Sequence, residues 1–200
     1  MPTMFKTCSR YFGLAVALFL VAGCAGPESL ALERMDPLTG VTVTRAPEPM
    51  VMYRDLSGQS AFGREYVYVG PVQVNKMGQR AHFLWLGIWR TANASDPAQT
   101  IDDFETIVIY ADGEPLSLEA AGWTPGAAGL SESAYVKPVA SAVDGYYAVT
   151  VDQMRLIAES RDLELRAGSM QPQRYVPWDS VQEASQTCLL YTSPSPRDKF

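Results

Sequence analysis

No cysteine lies between Ala25 and Thr187. That stretch therefore holds no disulfide, no thiol nucleophile and no cysteine-based zinc site. It holds one histidine, His82, too few for an imidazole metal cluster. The chain has no G-x-S-x-G, no phosphate-binding glycine loop and no G-x-G-x-x-G. Those patterns would announce an activated serine, a phosphate cradle or a dinucleotide site. Positive charge is scarce as well. Residues 24–187 carry 12 Lys+Arg against 21 Asp+Glu, a net charge of −9. An acidic chain without a basic stripe is not built for nucleic acid. It also argues against electrostatic attachment to anionic lipid. No apolar run reaches the roughly 18 residues a spanning helix needs, and no internal repeat is visible.

What is present begins with the N-terminal stretch. Lys6 and Arg10 are the only charges before Cys24, and an apolar run from Tyr11 to Val21 follows them. A basic start, a short apolar middle and small residues at the end describe a secretory signal peptide. The end reads Val21-Ala22-Gly23-Cys24, which resembles the lipobox of bacterial lipoproteins. The resemblance covers the leader alone. It implies that the Cys24 thiol takes a diacylglycerol, that a peptidase cuts after Gly23, and that the new amino group is acylated. More than one acyl chain is what stable anchoring requires. In that family an aspartate after the cysteine holds the protein in the inner membrane. Ala25 stands there instead, which implies the outer membrane, facing the periplasm. Apart from these covalent acyl chains, no cofactor is expected.

The other end carries a second resemblance. Cys188 to Asp198 reads CLLYTSPSPRD, which is similar in frame to the translated end of a transposon-based sequencing adapter. Residues 188–200 are therefore expected to be adapter read-through rather than native sequence, and fold reasoning stops near Thr187.

Four segments result: a signal peptide at 1–23, a lipid-anchored tether at 24–48, a folded domain at 49–187 and the foreign tail at 188–200. The tether reading rests on Pro27, Pro37, Gly40 and Pro47 and on few large apolar residues, although Val41 and Val43 alternate with threonines. Within the domain, Tyr66–Val69 and Val72–Val74 are β-branched and aromatic, as strands prefer, and Gly70-Pro71 interrupts them. Asn75–Gly78 reads as a turn. In the following strand Phe83, Trp85 and Trp89 point one way, and His82, Leu84, Leu86 and Ile88 the other. Both faces are apolar, so the strand is buried on both sides or central with one face under a loop.

Thr91 to Asp103 reads as polar loop. Thr106–Tyr110 and Glu114–Leu118 form a hairpin turning at Asp112-Gly113, which supplies the positive φ of a type I′ turn. Ala120 to Leu130 reads as an irregular crossover, Asp144-Gly145 as a turn and Tyr146–Val149 as extended. Thr150 and Gln153 form a capping box, and Val151, Met154, Ile157 and Ala158 make an apolar stripe at helical spacing. A helix over Val151–Glu159 follows. Leu163, Leu165 and Tyr175–Trp178 read as short strands. Many short strands, turn signals and one helix near the C-terminal end predict a mainly β fold, an antiparallel β-sandwich.

His82 has no motif partner and reads as structural. Asp102, Asp103 and Glu105 could offer oxygen ligands to calcium, but they lack the spaced loop pattern and read as a solvated loop. No metal ligand and no catalytic residue is assigned. The aromatic set of Tyr66, Tyr68, Trp85, Trp89, Trp123, Tyr135, Tyr146, Tyr147 and Trp178 reads as core plus girdle, or as an exposed patch for a partner or a glycan. The function expected is a lipid-anchored, non-catalytic interaction or structural module with an envelope protein partner. A periplasmic binder of a small ligand or glycan is the alternative, and an enzyme is the least favoured class.

Overall fold

The computed structural model describes residues 31–55, 64–90, 97–168 and 171–178. The leader with Gly23 and Cys24, and the segment 188–200, lie outside the described residues. In chain order the strands are β1 (Leu32–Met35), β2 (Thr42–Arg45), β3 (Met50–Asp55), β4 (Arg64–Lys76) and β5 (Gln79–Arg90). Then come α1 (Pro97–Phe104), β6 (Thr106–Ala111), β7 (Glu114–Gly122), a 3₁₀ turn (Pro125–Ala128) and β8 (Val143–Ala148). The chain ends with α2 (Val151–Glu159), β9 (Leu163–Ala167) and β10 (Gln173–Pro177).

All ten strands join one antiparallel sheet in the order β1-β2-β4-β3-β10-β9-β6-β7-β8-β5, and β5 returns to pair with β4. Eight strands thus close a ring, with β2 and β1 branching from the distal half of β4. The mainly β, antiparallel class read from the sequence holds. Its form is a single sheet curled into a sandwich- or barrel-like ring, with two short helices among the described residues instead of one.

The long β4–β5 hairpin sets this geometry. It stays in register from Glu65↔Arg90 to Lys76↔Gln79 and turns at Met77 (φ 53°) and Gly78 (φ 87°), the two positive angles of a type I′ turn. The expected break at Gly70-Pro71 is absent from the strand and present in its partner. β4 pairs with β3 over 64–69 and with β2 over 72–75. Gly70 and Pro71 fall in the gap between those two neighbours, where a residue without an N–H is tolerated. Gly70 has a second reason. A Cβ there would sit 2.4 Å from the ring of Tyr135, whose hydroxyl donates to the Pro71 carbonyl at 2.9 Å.

The alternation along β5 fills two separate cores. Leu84, Leu86 and Ile88 face the ring interior with Ile107, Ile109, Leu165 and Tyr175. Trp85 faces outward and is nevertheless fully buried, packed with Tyr68, Val72, Tyr146 and, from the crossover after β7, Leu130, Ala134 and Tyr135. β5 is therefore central, with one face under a loop. Both helices anchor on the inner core, α1 through Phe104 and α2 through Ile157. α2 has the expected bounds and capping box: Gln153 N–H donates to Thr150 Oγ1 at 3.1 Å, and Thr150 N–H donates to Gln153 Oε1 at 2.8 Å. The β6–β7 hairpin turns at Asp112 (φ 51°) and Gly113 (φ 85°) as read.

Several readings are corrected. The folded unit begins by Leu32, not at residue 49. β1 and β2 occupy the distal part of the segment read as tether, and Val41 and Val43 are buried in the outer core. The polar stretch 91–103 contains most of α1, which opens on Pro97, a residue suited to a first helical turn. Strand β7 extends to Gly122 before the crossover starts. Asp144-Gly145 lies inside β8 and makes no turn, because Asp144 points into the outer core as a hydrogen-bond acceptor.

Candidate aromatic recognition site

The register of three strands lines up one row of aromatics. Tyr53 of β3 is opposite Tyr66 of β4, and Tyr66 is opposite Trp89 of β5. Directly opposed residues share a face of the sheet and interact. Trp178, just past β10, joins them because its N–H donates to the Val51 carbonyl at 2.9 Å. The Tyr66 and Trp89 rings stack with centroids 5.4 Å apart and planes 20° apart. Trp178 meets Tyr53 edge-on at 5.0 Å and Tyr66 at 5.8 Å. The Arg64 guanidinium lies over Trp178 at 5.2 Å and over Tyr53 at 5.6 Å, inside the range of a cation–π contact. Asp55, its cross-strand neighbour, accepts from Arg64 Nε at 2.9 Å. Hydrogen bonds to Asp55 and then Tyr66 raise the Arg64 pKa above the ordinary arginine value.

All four aromatic residues are half-buried, packed on the outer core below and open to solvent above. A buried charged cluster fixes the same strands from the other face. The Glu65 carboxylate accepts from Arg54 Nε, and from the Tyr175 hydroxyl at 2.9 Å. Arg54 also donates to Gln173 Oε1. Burial lowers the Arg54 pKa, but the hydrogen bond to Glu65 and the interactions with Tyr175 and the Glu65 charge together outweigh it and raise the net value. β3, β4 and β10 are thereby tied together directly behind the aromatic row.

The arrangement can stack on flat or apolar groups and can attract an electron-rich or acidic one to Arg64. Nothing in it resembles an activated nucleophile with a positioned base. Burial pushes the hydroxyls of Tyr147, far up, and Tyr146 above the ordinary tyrosine range. His82 lies elsewhere, half-buried on β5, with Nε2 at 3.2 Å from Gln73 Oε1. Asp102 and Asp103 sit on α1 and Glu105 just after it, beside Thr106, Tyr110 and Arg166. Among the described residues no three His, Cys, Asp or Glu side chains are grouped to hold a metal ion.

Of the aromatic set named from the sequence, Tyr66, Trp89 and Trp178 meet in this row. Tyr68, Trp85, Tyr135, Tyr146 and Tyr147 are core, and Trp123 packs edge-on against Tyr147. Tyr53 and Arg64 are the members that sequence reasoning missed. Comparison with known proteins adds no relative: no family model, no curated protein and no solved structure matches the chain.

Proposed function

We propose that this is a lipid-anchored envelope protein of the outer membrane, facing the periplasm, that works without catalysis by binding a protein partner through the Tyr53–Tyr66–Trp89–Trp178 row. The observation that carries the reading is that row itself: four half-exposed aromatics, three on paired strands and one just past β10, with a cation held over two of them. Tyr, Trp and Arg are the residues enriched at binding hot spots, and rigid rings lose little entropy on contact. The anchoring part of the proposal rests on the lipobox resemblance of Val21–Cys24. A glycan is the second reading, favoured by the near-parallel Tyr66–Trp89 stack, which offers a flat face to a sugar ring.

The test is a photo-crosslinking amino acid placed at Tyr53 in the native envelope, with a matched probe at Glu119 on β7. A discrete protein adduct is expected from position 53 and not from 119, and Trp89→Ala should remove it. Identical adduct patterns from both positions would overturn the proposal. Glycan in place of protein at position 53 would move the assignment to the second reading.

A further inference from the structure

Four of the seven large apolar side chains exposed among the described residues are Leu32, Met35, Leu38 and Met77. Met77 is 99% exposed, Leu38 82% and Met35 68%. The sheet register brings the last three to one place. Met35 is opposite Thr42, Thr42 opposite Asn75, and Asn75 opposite Arg80. That row is the last before the Asp36–Gly40 turn carrying Leu38, and a single further pair, Lys76 opposite Gln79, separates it from the Met77-Gly78 turn. The tip spans four strands, about 14 Å at the usual spacing.

Its charge differs from that of the rest of the chain. Lys76 and Arg80 flank Met77 and are both exposed. Asp36, in the turn itself, is turned inward, accepting from Ser131 N–H and Oγ, both at 2.7 Å, and Glu132 is met one row back by Arg34 at 3.4 Å. Glu33 lies two rows back, level with His82. Between the turns an open groove of about 530 Å³ has Val41, Val74 and Phe83 on its floor and Lys76 and Arg80 at its lip. Exposed apolar apices with basic residues at their base form an interfacial surface: the apolar groups enter the acyl boundary and the cations meet phosphate.

We propose that this shared tip of the β1–β2 and β4–β5 hairpins docks on a bilayer containing anionic phospholipid. The inference deepens the lipid-anchor reading and rests on it for orientation. Seven residues separate Cys24 from Leu32, so the two lie at most about 29 Å apart along an extended chain. Acyl chains on Cys24 would hold β1 within that reach of the membrane, and β1 runs directly to the tip. A second copy of the chain fits the open edge of β1 poorly. Two-fold antiparallel pairing of a strand with itself opposes residues of equal parity, so the registers of greatest overlap set Glu33 against Glu33 or Arg34 against Arg34. Net charge alone argued against lipid contact, but it says nothing of where the few cations sit.

The test is a full chain that cannot be acylated and carries one thiol: Cys8→Ser, Cys24→Ser, Cys188→Ser and Met77→Cys. The thiol bears an environment-sensitive fluorophore. A matched chain carries it at Asp55→Cys, at the end of β3 opposite Arg64, roughly 40 Å away by the rise of β4. Vesicles of phosphatidylcholine with phosphatidylglycerol should shift the emission at 77 to the blue and leave 55 unchanged, and phosphatidylcholine alone should do little at either. Lys76→Gln with Arg80→Gln should weaken the response by about thirtyfold in lipid concentration. No shift at 77 overturns the proposal. So does an equal shift at 55, an equal response to neutral vesicles, or a shift that follows protein concentration in the absence of lipid. Because Cys24 is absent from these chains, such a failure leaves the anchor reading standing, and only fatty-acid labelling of Cys24 decides that one.

Discussion

Trp85 and Asp144 hold the outer core together: the indole N–H donates to Asp144 Oδ1 at 3.1 Å, with both side chains buried. The carboxylate is not left as a lone charge, since Lys137 Nζ lies 3.2 Å from its other oxygen. Removing the acceptor leaves a buried donor without a partner, which costs about 1–3 kcal/mol, and Lys137 loses its counter-charge besides. Asp144→Ala should therefore lower the urea midpoint at unchanged m-value. Asp144→Asn, which keeps an oxygen near the indole, should lower it less. Equal losses for the two would show that the Trp85 hydrogen bond carries little.

Acid should weaken the join between the β1–β2 turn and the crossover. Asp36 accepts from Ser131 Oγ and N–H and from the amides of Leu38 and Thr39. Those bonds, Ser131's hydroxyl foremost, hold its carboxyl well below the usual carboxylate range. A depressed folded-state pKa means stability that is fully present above the unfolded value, near 3.9, and lost as pH falls through the folded one. The melting temperature of the wild type should decline below about pH 4, and Asp36→Asn should be lower at neutral pH with a flatter acid limb. Parallel acid limbs would assign the effect to other carboxylates.

Gly70 offers a steric test. Its missing side chain is the space Tyr135 fills, and inserting a methyl into a packed core costs about 1–3 kcal/mol. Gly70→Ala should destabilise by that order in chemical denaturation. Adding Tyr135→Leu should make the glycine replacement far milder than it is alone. A strict sum of the two single effects would argue that the contact is not what constrains position 70.

How much of this was legible in the sequence depends on how local each signal is. The capping box of Thr150 and Gln153, the Asp112-Gly113 turn and the two-sided strand around Trp85 are each written within a few residues, and they hold. α1 is not: its stretch is polar, and the helix is secured by the burial of Phe104 and by the Tyr147 hydroxyl, which donates to the Phe104 carbonyl at 2.5 Å. β1 reads as tether because all four of its residues are exposed, so no alternation marks it. The aromatic row depends on register. Trp85 and Trp89 share one face of one strand, yet the first is fully buried with residues from a remote crossover and the second is only half-buried. Tyr53 joins only once β3 is known to pair with β4.

The anchor has a direct readout. Metabolic labelling with a clickable fatty acid should tag the wild-type chain and not Cys24→Ser, and the tagged form should fractionate with the envelope. Label on both chains, or on neither, would sink the lipobox reading without touching the fold.

Glu65 supplies the last test, because it links stability to the recognition row. Its carboxylate is buried, and it meets Arg54 Nε and the Tyr175 hydroxyl behind Tyr66. Breaking a buried pair by removing one partner costs about 3–5 kcal/mol, whereas replacing both with apolar groups of similar size is often near neutral. Arg54 is only partly covered, so water can take over some of its charge when Glu65 is lost. Glu65→Leu should destabilise strongly, Arg54→Met by a similar amount, and the double replacement by clearly less than the sum. The same series tests what the pair does for the aromatic row. If the charged cluster only stabilises the ring, the double variant should keep the Tyr53 crosslink in full. If the pair holds β3 and β4 at the spacing that stacks Tyr66 on Trp89, the double variant should melt cooperatively and still lose most of the crosslink. The second outcome is the one expected, because the row and the pair share the same two strands at adjacent positions.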